Sequence, residues 1–517
     1  MVKEADFVFY PEELFNEEHI LKSLSERFDI PKEEINSYRV IRKSIDARKK
    51  VKYNVRIQCI SASETFPELA GKFEFRDVFK SKPVLIVGAG PAGYFAALNC
   101  LLLGIKPIII ERGKSVEERK YDISQINRGL NLNPESNYAF GEGGAGTYSD
   151  GKLYTRSKKR GDVFQILQLL HYFGADDDIL INSHPHVGTD KLPGIMKNIR
   201  EKIINSGGEI YFNSKVTKLI LNKNLIKGVE CEDGKTVSSD FVILATGHSA
   251  RDVYYFLDNQ KVMLTEKGFA MGIRVEHPQN LIDGIQYKRK ERGEFLPPAS
   301  YNLVKQVDNR GVYSFCMCPG GTIVCSATEK NQIVVNGMSN SKRNSAYANS
   351  GIVVELQVRD LIAHSEFGTF AGLELQKQLE NMAFVNSALG LKAPAQRLSD
   401  FVAGKISQNL PTSSYHPGLI SSPLHFWLPD IISLKLRKAF KEFDKQMRGF
   451  ITNQAIVVGV ESRTSSPIQI LRNPETFQSV NIEGLFPCGE GAGYAGGIVS
   501  SAIDGMIAVN KISEVIK

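Results

Sequence analysis

A glycine-rich turn between an apolar strand and an apolar helix constrains the fold of this chain more than any other feature. Gly88, Gly90 and Gly93 form a GxGxxG pattern after the apolar run PVLIV, and a second apolar run, PIII, ends at Glu111. The first glycine allows a tight turn, the second lets the backbone approach a pyrophosphate, and the third lets the helix pack closely on the strand. The helix N-terminus offers free N–H groups to phosphates, and Glu111 is placed to accept hydrogen bonds from ribose hydroxyls. The pattern predicts a dinucleotide-binding unit.

The composition is that of an ordinary globular chain. Of 517 residues, 42% are hydrophobic and 23% are charged, and 64 Lys and Arg against 57 Asp and Glu leave a net charge of +7. So small a bias is not the footprint of a nucleic-acid-binding protein. The seven cysteines include no CxxC pair, which predicts reduced thiols. No apolar stretch is long enough to span a membrane, so we predict a cytoplasmic protein without a membrane span.

Changes of pattern along the chain divide it into four segments. Residues 1–78 predict a small N-terminal α+β domain. Residues 79–260 and 451–517 each hold glycine-rich turns after apolar strands, which predicts one discontinuous nucleotide-binding domain. Residues 261–450 have mixed patterning with several alternating runs, which predicts a β-rich α+β domain that caps the nucleotide and supplies the substrate pocket.

The N-terminal segment carries one helical and two strand patterns. Apolar residues recur at helical spacing over residues 13–28, and they alternate with polar residues over 51–59. Residues 38–47 are the expected antiparallel partner of the second stretch. The basic run at 42–50 is either a partner surface or, as we favour, a solvated strand edge and turn.

Two later segments complete a recognisable set. SDFVILATG (239–247) is a strand that runs into an ATG turn, and residues 481–505 hold a strand, a glycine-rich turn and a helix. Together with the first unit they resemble the glutathione-reductase-like FAD fold. That resemblance implies that Val216 packs near the adenine and that the last helix points its N-terminus at the flavin. It also implies a Gly-Asp pair near the ribityl chain, and the corresponding residues here are Gly489 and Glu490.

A second glycine cluster, FGEGGAGTYSDGKLYTR (140–156), is the most unusual stretch. So many glycines leave the backbone with little side-chain cover, so the segment either lies against a ligand or is a mobile surface loop. We favour ligand contact, because successive N–H groups form an anion-binding nest. Ser149, Asp150 and Lys152 add a hydroxyl, a carboxylate and a cation.

Five motifs spread over the chain resemble one family. They are GEGGAGTYSDGKL (141–153), ATGHSARD (245–252), SFCMCPGG (314–321), APAQRLSDF (393–401) and ESRTSSP (461–467). Together they are similar to the bacterial family of uncharacterised FAD-dependent, or NAD(FAD)-utilising, dehydrogenases. The resemblance implies a discontinuous glutathione-reductase-like FAD Rossmann domain, a cap, non-covalent FAD and oxidoreductase activity, without naming a substrate.

The motifs and this resemblance predict the cofactor contacts. These are Gly88, Gly90, Pro91, Ala92, Gly93, Glu111, Arg112, Gly113, Arg119, Gly143, Gly144, Ala145, Gly146, Thr147, Ser149, Asp150, Gly151, Lys152, Val216, Thr246, Gly247, Gly489, Glu490, Gly496, Gly497 and Ile498.

Four residues are candidates for chemistry, each with a structural alternative. His248 is catalytic or, as we favour, a structural residue near the adenine. Lys152 stabilises reduced flavin or is an ordinary phosphate or surface lysine. Arg463 clamps a substrate carboxylate or phosphate, or it is buried in a pair with Glu461 or Asp504. Tyr494 gates the flavin ring or simply packs.

The cysteines and histidines add no further chemistry. Cys316 and Cys318 are two apart in an apolar strand, which predicts that both lie on one face as buried, unreactive thiols. Cys488 is expected in the core. No spacing typical of metal ligands occurs, and no GxSxG turn supports a hydrolase.

We therefore predict an FAD-dependent oxidoreductase or dehydrogenase that acts on an unidentified small molecule by hydride or electron transfer. No second GxGxxG marks a separate NAD(P)H domain, so NAD(P)H is expected at most as a transient donor, and an electron-donor protein is the alternative. Two other functions stay open. One is an FAD-dependent tRNA-modifying enzyme, although nucleic acid is not the partner that the charge favours. The other is a non-enzymatic flavin redox sensor or partner-binding protein.

Overall fold

The structure, a computed structural model, describes residues 2–61, 65–66, 68–154 and 161–516. Its strands are β1 (Lys3–Phe9), β2 (Ile35–Asp46), β3 (Lys52–Ser61), β4 (Pro83–Val87), β5 (Lys106–Ile110), β6 (Glu209–Tyr211), β7 (Val216–Asn222), β8 (Leu225–Cys231), β9 (Thr236–Ser238), β10 (Val242–Leu244), β11 (Leu264–Glu266), β12 (Phe269–Pro278), β13 (Val304–Val307), β14 (Arg310–Cys318), β15 (Thr322–Cys325), β16 (Val335–Met338), β17 (Tyr347–Leu356), β18 (Ala393–Arg397), β19 (Leu419–Ser421), β20 (Ile456–Glu461), β21 (Ile468–Ile470) and β22 (Leu485–Pro487).

The helices are α1 (Pro11–Leu14), α2 (Glu17–Phe28), α3 (Pro91–Leu103), α4 (Val116–Asn127), α5 (Val163–Tyr172), α6 (Asp178–Ile181), α7 (Leu192–Asn205), α8 (Arg251–Asn259), α9 (Gln279–Tyr287), α10 (Ala371–Val385), α11 (Leu398–Ala403), α12 (Leu424–Trp427), α13 (Asp430–Gln446) and α14 (Ile498–Ile516). In the described part of the chain, no helix is both long and apolar enough to cross a bilayer.

A five-stranded parallel sheet organises the nucleotide-binding segments, so the predicted mixed α/β class is confirmed. Its order is β22-β10-β4-β5-β6. Val87, at the end of β4, pairs with both Ile110 and Leu244, so the carboxyl ends of these strands share one edge. β4 is apolar along its length because helices cover both faces of such a sheet. Open parallel sheets bind their ligands at this carboxyl edge.

Helices α3 and α14, which lie far apart in sequence, pack against each other beside this sheet. A Cβ added at Gly505 would lie 2.1 Å from the carbonyl oxygen of Ala92. Only glycine permits so close a backbone contact. The last helix is therefore fixed against the helix that follows the GxGxxG turn.

The N-terminal segment forms a three-stranded antiparallel sheet in the order β1-β3-β2. The strands β2 and β3 pair as the alternating pattern predicts, with Val40 opposite Ile57. The predicted helix over 13–28 is instead two helices, α1 and α2. Asn16 interrupts it, because its side chain accepts a hydrogen bond from the His19 N–H and caps α2.

A seven-stranded sheet, in the order β13-β14-β17-β12-β20-β18-β19, forms the larger part of the cap. Its central strands β12, β17 and β20 are almost wholly buried. The sequence analysis places residues 456–461 in the nucleotide-binding segment, but they form β20, which pairs with β12 and β18. Their continuous apolar run fits a buried strand of either sheet, so pattern alone does not distinguish the two positions.

Candidate dinucleotide-binding site

A cavity of about 340 Å³ lies at the carboxyl edge of the five-stranded sheet. One wall is formed by the turns after β4, β10 and β22, and the opposite wall by residues of the cap such as Phe315 and Asn336. The site therefore lies between the two large sheets.

The GxGxxG turn has the geometry that a bound pyrophosphate needs. Gly88 has φ +105°, and a Cβ at Gly93 would lie 1.9 Å from the Gly88 carbonyl oxygen, so the helix packs directly on the turn. Helix α3 begins after Gly90 with no side-chain cap. Its first N–H groups are therefore left for a ligand, with the partial positive charge of the helix N-terminus behind them.

Glu111 is held in place by backbone amides alone. Its Oε2 accepts a hydrogen bond from Ala89 N–H at 2.8 Å, and its Oε1 accepts from Gly113 and Gly141 N–H, each at 2.9 Å. The side chain is buried yet lines the cavity. One carboxylate thus fixes three separate turns, and it retains lone pairs for a ribose hydroxyl.

The second glycine cluster packs onto the first, which excludes a mobile surface loop for its described residues. Gly143 N–H donates to the Ala89 carbonyl at 2.8 Å, and a Cβ at Gly144 would lie 3.1 Å from the Gly90 Cα. Residues 144–146 and 149–152 line the cavity. Thr155 and Arg156, the end of the cluster, lie outside the described residues.

Arg119 supports this cluster from beneath and does not contact the cavity. It is fully buried, and its Nε and Nη1 donate to the carbonyls of Asn137 and Glu142, each at 2.8 Å. The structure therefore places Arg119 beneath the glycine cluster and outside the lining of the cavity, because α4 turns its side chain under the loop.

Most of the predicted contact residues line this cavity. The exceptions are Gly93, Gly113, Arg119, Gly143 and Thr147. Each of these packs within the turns, as when Thr147 Oγ1 donates to the Glu142 carbonyl at 3.0 Å. They shape the site without facing it.

Asp150 connects the glycine cluster to the cap. It is buried, its Oδ2 accepts from Arg343 Nη2 at 2.8 Å, and its Oδ1 accepts from Ser339. Lys152 lies 3.7 Å from the same carboxylate, and its Nζ donates to the Met317 carbonyl. Both predicted residues therefore line the cavity where cap and nucleotide-binding segments meet.

The cap wall departs from the expected strand geometry at Cys316. This residue has φ +46°, and the register of β14 against β17 shifts between Phe315 and Cys318. Such a bulge reverses the alternation of side chains, so Cys318 is buried while Cys316 is exposed and lines the cavity. The expectation of two buried thiols on one face is therefore wrong for Cys316, whereas Cys488 is buried as expected.

Neither thiol of this pair is activated. Desolvation by the surrounding protein raises the pKa of the Cys316 thiol, and it raises the pKa of Cys318 to about 12. The Cys318 Sγ donates to the Cys316 carbonyl at 3.2 Å. The surroundings therefore disfavour the thiolate form of both sulfurs.

His248 lies in the cavity wall between two anchoring groups. Its Nε2 lies 3.1 Å from the Arg463 carbonyl oxygen, and its Nδ1 lies 3.5 Å from Glu490 Oε2. A carbonyl can only accept, so Nε2 carries a proton and Nδ1 faces the carboxylate. The ring is therefore fixed in orientation between the ATG turn and the Gly489-Glu490 pair.

Arg463 lines the cavity but is committed to a buried pair. Its Nε and Nη2 donate to Glu380 at 3.1 and 2.9 Å, and its Nη1 donates to Thr328 at 2.7 Å. The buried-pair alternative is thus the one that the structure has, although with Glu380. The expected partners Glu461 and Asp504 pair with other arginines.

Glu380 also binds Arg251, at the start of α8, at 2.7 Å. Burial alone would raise the pKa of this carboxyl, but Arg251 and Arg463 more than offset it and hold the pKa at about 2. The two cations and one anion tie α8 and the segment after β20 together beside the cavity.

Tyr494 does not line the cavity. The Arg472 guanidinium lies 3.8 Å from the centre of its ring, and its hydroxyl accepts from the Arg472 N–H at 3.1 Å. Arg472 in turn pairs with Asp504 at 2.7 Å. The structure thus places Tyr494 in packing behind the turn and outside the lining of the cavity.

The sequence analysis missed a group of cavity residues from the cap and from strand ends. Strand-end residues such as Val87 follow from the sheet topology, but the cap residues lie on the bulge of β14 and on the short strand β16, whose positions beside the cavity no periodicity reveals. The missed residues are Val87, Ile110, Ala139, Phe140, Tyr154, Ser214, Lys215, Ala245, Ser249, Ala250, Val253, Phe315, Cys316, Asn336, Gly337, Thr464 and Ser501.

The site carries no metal-binding arrangement among the residues that the structure describes. A search of those residues finds no group of three or more His, Cys, Asp or Glu side chains that could hold an ion. The uncapped start of α3 and the backbone amides around it fit a phosphate-bearing dinucleotide.

Several solved structures are similar to this chain at low sequence identity. The tetracycline destructase Tet(51) is 11% identical, with 84% of this chain and 86% of that chain covered and a TM-score of 0.34. A flavocytochrome c3 fumarate reductase is 14% identical, covering 84% and 79%, with a TM-score of 0.35. The halogenase PltM, solved in complex with FAD, is 12% identical, covering 84% and 69%, with a TM-score of 0.39.

Comparison of sequences is more informative. A family model described as "FAD-dependent protein, C-terminal domain-like" matches residues 268–464, and a domain of unknown function matches residues 1–60. An uncharacterised protein of Clostridium beijerinckii is 39% identical over 514 residues, which cover 95% of each chain. Such identity over nearly the full length makes the two proteins members of one family, and the chain belongs to an uncharacterised family of FAD-dependent proteins.

Proposed function

We propose that the cavity binds FAD non-covalently in a glutathione-reductase-like arrangement, and that the protein is an FAD-dependent oxidoreductase acting on a small molecule. One observation carries the proposal. The N-termini of α3 and α14 open into a single cavity whose far wall belongs to the cap. The first helix end suits the pyrophosphate, and the second suits the negative charge of a reduced flavin.

Each predicted part of the cofactor has a matching part of the site. The uncapped start of α3 binds the pyrophosphate, and Glu111 accepts from the adenosine ribose. A Cβ at Gly496 or at Gly497 would meet no heavy atom within 4 Å, so the flat ring has room at the start of α14. Val216 also lines the cavity, and it would pack near the adenine.

When bound, FAD supplies hydride or electron transfer, and the chain positions the ring and its partner. The Lys152 ammonium, at the junction with the cap, compensates negative charge in the cavity. His248, whose Nε2 is engaged by the Arg463 carbonyl, holds the Glu490 carboxylate in place beside the cavity through its Nδ1. The cap wall at Phe315 and Asn336 excludes water and holds the substrate against the ring.

The same geometry weighs against the two alternatives. The basic residues at 288–292 are partly used within the chain, since Lys288 Nζ donates to the Arg48 carbonyl and Arg289 pairs with Glu12. That leaves less positive surface for a tRNA. A sensor needs no substrate space, yet the cavity reaches polar groups of the cap such as Asn336.

The visible spectrum of the purified full-length protein is the first test, followed by anaerobic mixing with NADH and then NADPH. A flavin spectrum supports the proposal, and bleaching identifies NAD(P)H as donor, whereas a spectrum that stays oxidised points to a substrate or a donor protein. A protein that binds no FAD even when the cofactor is added refutes the proposal.

A pair of glycine variants ties the bound flavin to this cavity. Gly144→Ala introduces a Cβ at φ +59° against the Gly90 backbone, so we expect FAD content to fall at least tenfold. Gly234→Ala introduces the same change at φ +82° where no atom lies within 4 Å, and it is the matched control. Equal FAD retention in both variants would place the cofactor elsewhere.

A further inference from the structure

The cap wall of the cavity is hydrogen-bonded to a fully buried guanidinium, that of Arg274. Arg274, on β12, is fully buried and pairs with the buried Glu461 of β20. Its Nε donates to Glu461 Oε2 at 2.8 Å, and its Nη2 donates to Oε1 at 3.1 Å. This bidentate pair crosses the centre of the seven-stranded sheet.

The remaining N–H groups of Arg274 reach the strands that form the cavity wall. Nη1 donates to Asn349 Oδ1 at 2.7 Å and to the Cys316 carbonyl at 3.3 Å, and Nη2 donates to Asn336 Oδ1 at 3.1 Å. With the two bonds to Glu461, each of its five N–H donors is used. Cys316 and Asn336 are themselves cavity residues, so one side chain joins the interior of the sheet to its functional face.

The guanidinium of Arg274 is tightly packed, with no room for a side chain at the neighbouring Gly337. A Cβ at Gly337 would lie 2.3 Å from both Arg274 Nη1 and Asn349 Oδ1. Replacing a buried ion pair by apolar residues of similar size is often neutral or stabilising, so stability alone does not explain this one. Its hydrogen bonds to the wall residues are what an apolar pair would lack.

We propose that Arg274 is a positioning residue that sets the cap wall of the cofactor cavity. By holding the Cys316 carbonyl, it keeps that residue in its left-handed conformation, so that the side chain at 316 faces the cavity while Cys318 faces the interior. In the absence of this bond the strand relaxes to regular alternation, which turns both thiols toward the interior. The proposal deepens the proposed function, because the wall it describes faces the flavin.

The conformation of residue 316 has a direct chemical readout. Cys316 is the exposed cysteine of the seven, so N-ethylmaleimide on the full-length, cofactor-free protein should label it selectively, as read by peptide mass spectrometry. The double variant Arg274→Met/Glu461→Leu keeps the core filled, and we expect it to fold while its labelling rate at Cys316 falls at least fivefold. Arg274→Lys retains the charge but not the planar fork, and it should not restore the rate.

A second buried pair, on the strand that carries Cys316, provides the matched control. Arg310, at the start of β14, pairs with Asp360, and both side chains are nearly buried. Arg310→Met/Asp360→Leu removes an equivalent ion pair that touches no cavity residue, so labelling at Cys316 should stay within twofold of the unaltered protein. If the Arg274 double variant folds and also labels at the unaltered rate, the positioning role is refuted.

A separate arm tests the cofactor itself. Added FAD should slow labelling of Cys316 at least tenfold in the unaltered protein, because the ring covers the wall. If FAD neither binds nor protects, the proposed function fails, yet the comparison of the two double variants still decides the role of Arg274. If FAD binds and does not protect, the wall faces away from the ring, and the proposal is overturned.

Discussion

Replacing Glu111 by glutamine tests how one carboxylate holds the dinucleotide site together. Three backbone N–H groups, those of Ala89, Gly113 and Gly141, point at its two oxygens. An amide offers one oxygen and one NH₂ group, so whichever way it is oriented at least one buried N–H loses its acceptor. A buried donor left unpaired costs about 1–3 kcal/mol. We therefore expect Glu111→Gln to lower the free energy of unfolding by about that amount.

The assay is urea denaturation of the cofactor-free, full-length protein, followed by FAD titration. Glu118→Gln is the control, because this substitution makes the same change of charge at an exposed residue of the neighbouring helix α4. Its free energy of unfolding should stay within about 0.5 kcal/mol of the unaltered protein. In Glu111→Gln, FAD affinity should fall as well, since the turns that bind it are no longer fixed. Equal stability of the two variants would refute the reasoning.

Three further substitutions have expected outcomes. Gly505→Ala places a Cβ 2.1 Å from the Ala92 carbonyl, so we expect a loss of about 1–3 kcal/mol by urea denaturation, and no loss would mean that α14 can shift. Burial lowers the pKa of His277 to about 4. The contribution of this group to the free energy of unfolding is therefore complete above pH 6.5, and about 3 kcal/mol of it is lost as the pH drops toward 4. His277→Gln should remove that slope between pH 6.5 and 4, and an unchanged slope contradicts the assignment. Lys152→Gln should weaken the binding of sulfite to the FAD-loaded protein at least fivefold, because an adjacent cation favours anionic flavin adducts, and unchanged sulfite affinity places Lys152 away from the ring.

The sequence is most informative where local rules act alone. The GxGxxG turn, the parallel strands around it and the late strand with its glycine-rich turn are each set by short-range steric needs. Gly88 needs a positive φ and Gly93 needs to lack a Cβ, and both requirements are visible in the residue types. That is why the parallel sheet and the position of Glu111 at its edge could be predicted.

The cap resisted prediction because its decisive features are long-range. The carbonyl at the Cys316 bulge accepts a hydrogen bond from a guanidinium 42 residues away in the chain, and no periodicity in β14 predicts the bulge. Arg463 is similar. Its residue type predicts a pair, but the choice of Glu380 over Glu461 is made by the packing of α10 against the seven-stranded sheet. Side-chain partners so far apart in the chain follow from the topology of the fold, and the sequence alone does not determine that topology.

The strands beside the site come from distant segments of the chain, and this separation determines the order in which the site is assembled. About 400 residues separate β4 from β22 in the chain, although both belong to the five-stranded sheet. At 5–20 residues per second on the ribosome, β4 and α3 wait roughly 20–80 s for the segment that completes their cavity. During that interval the apolar face of α3 that α14 later covers is open to chaperones. A dinucleotide that needs both helices can therefore bind only after α14 has been synthesised, so binding follows the synthesis of both parts of the site.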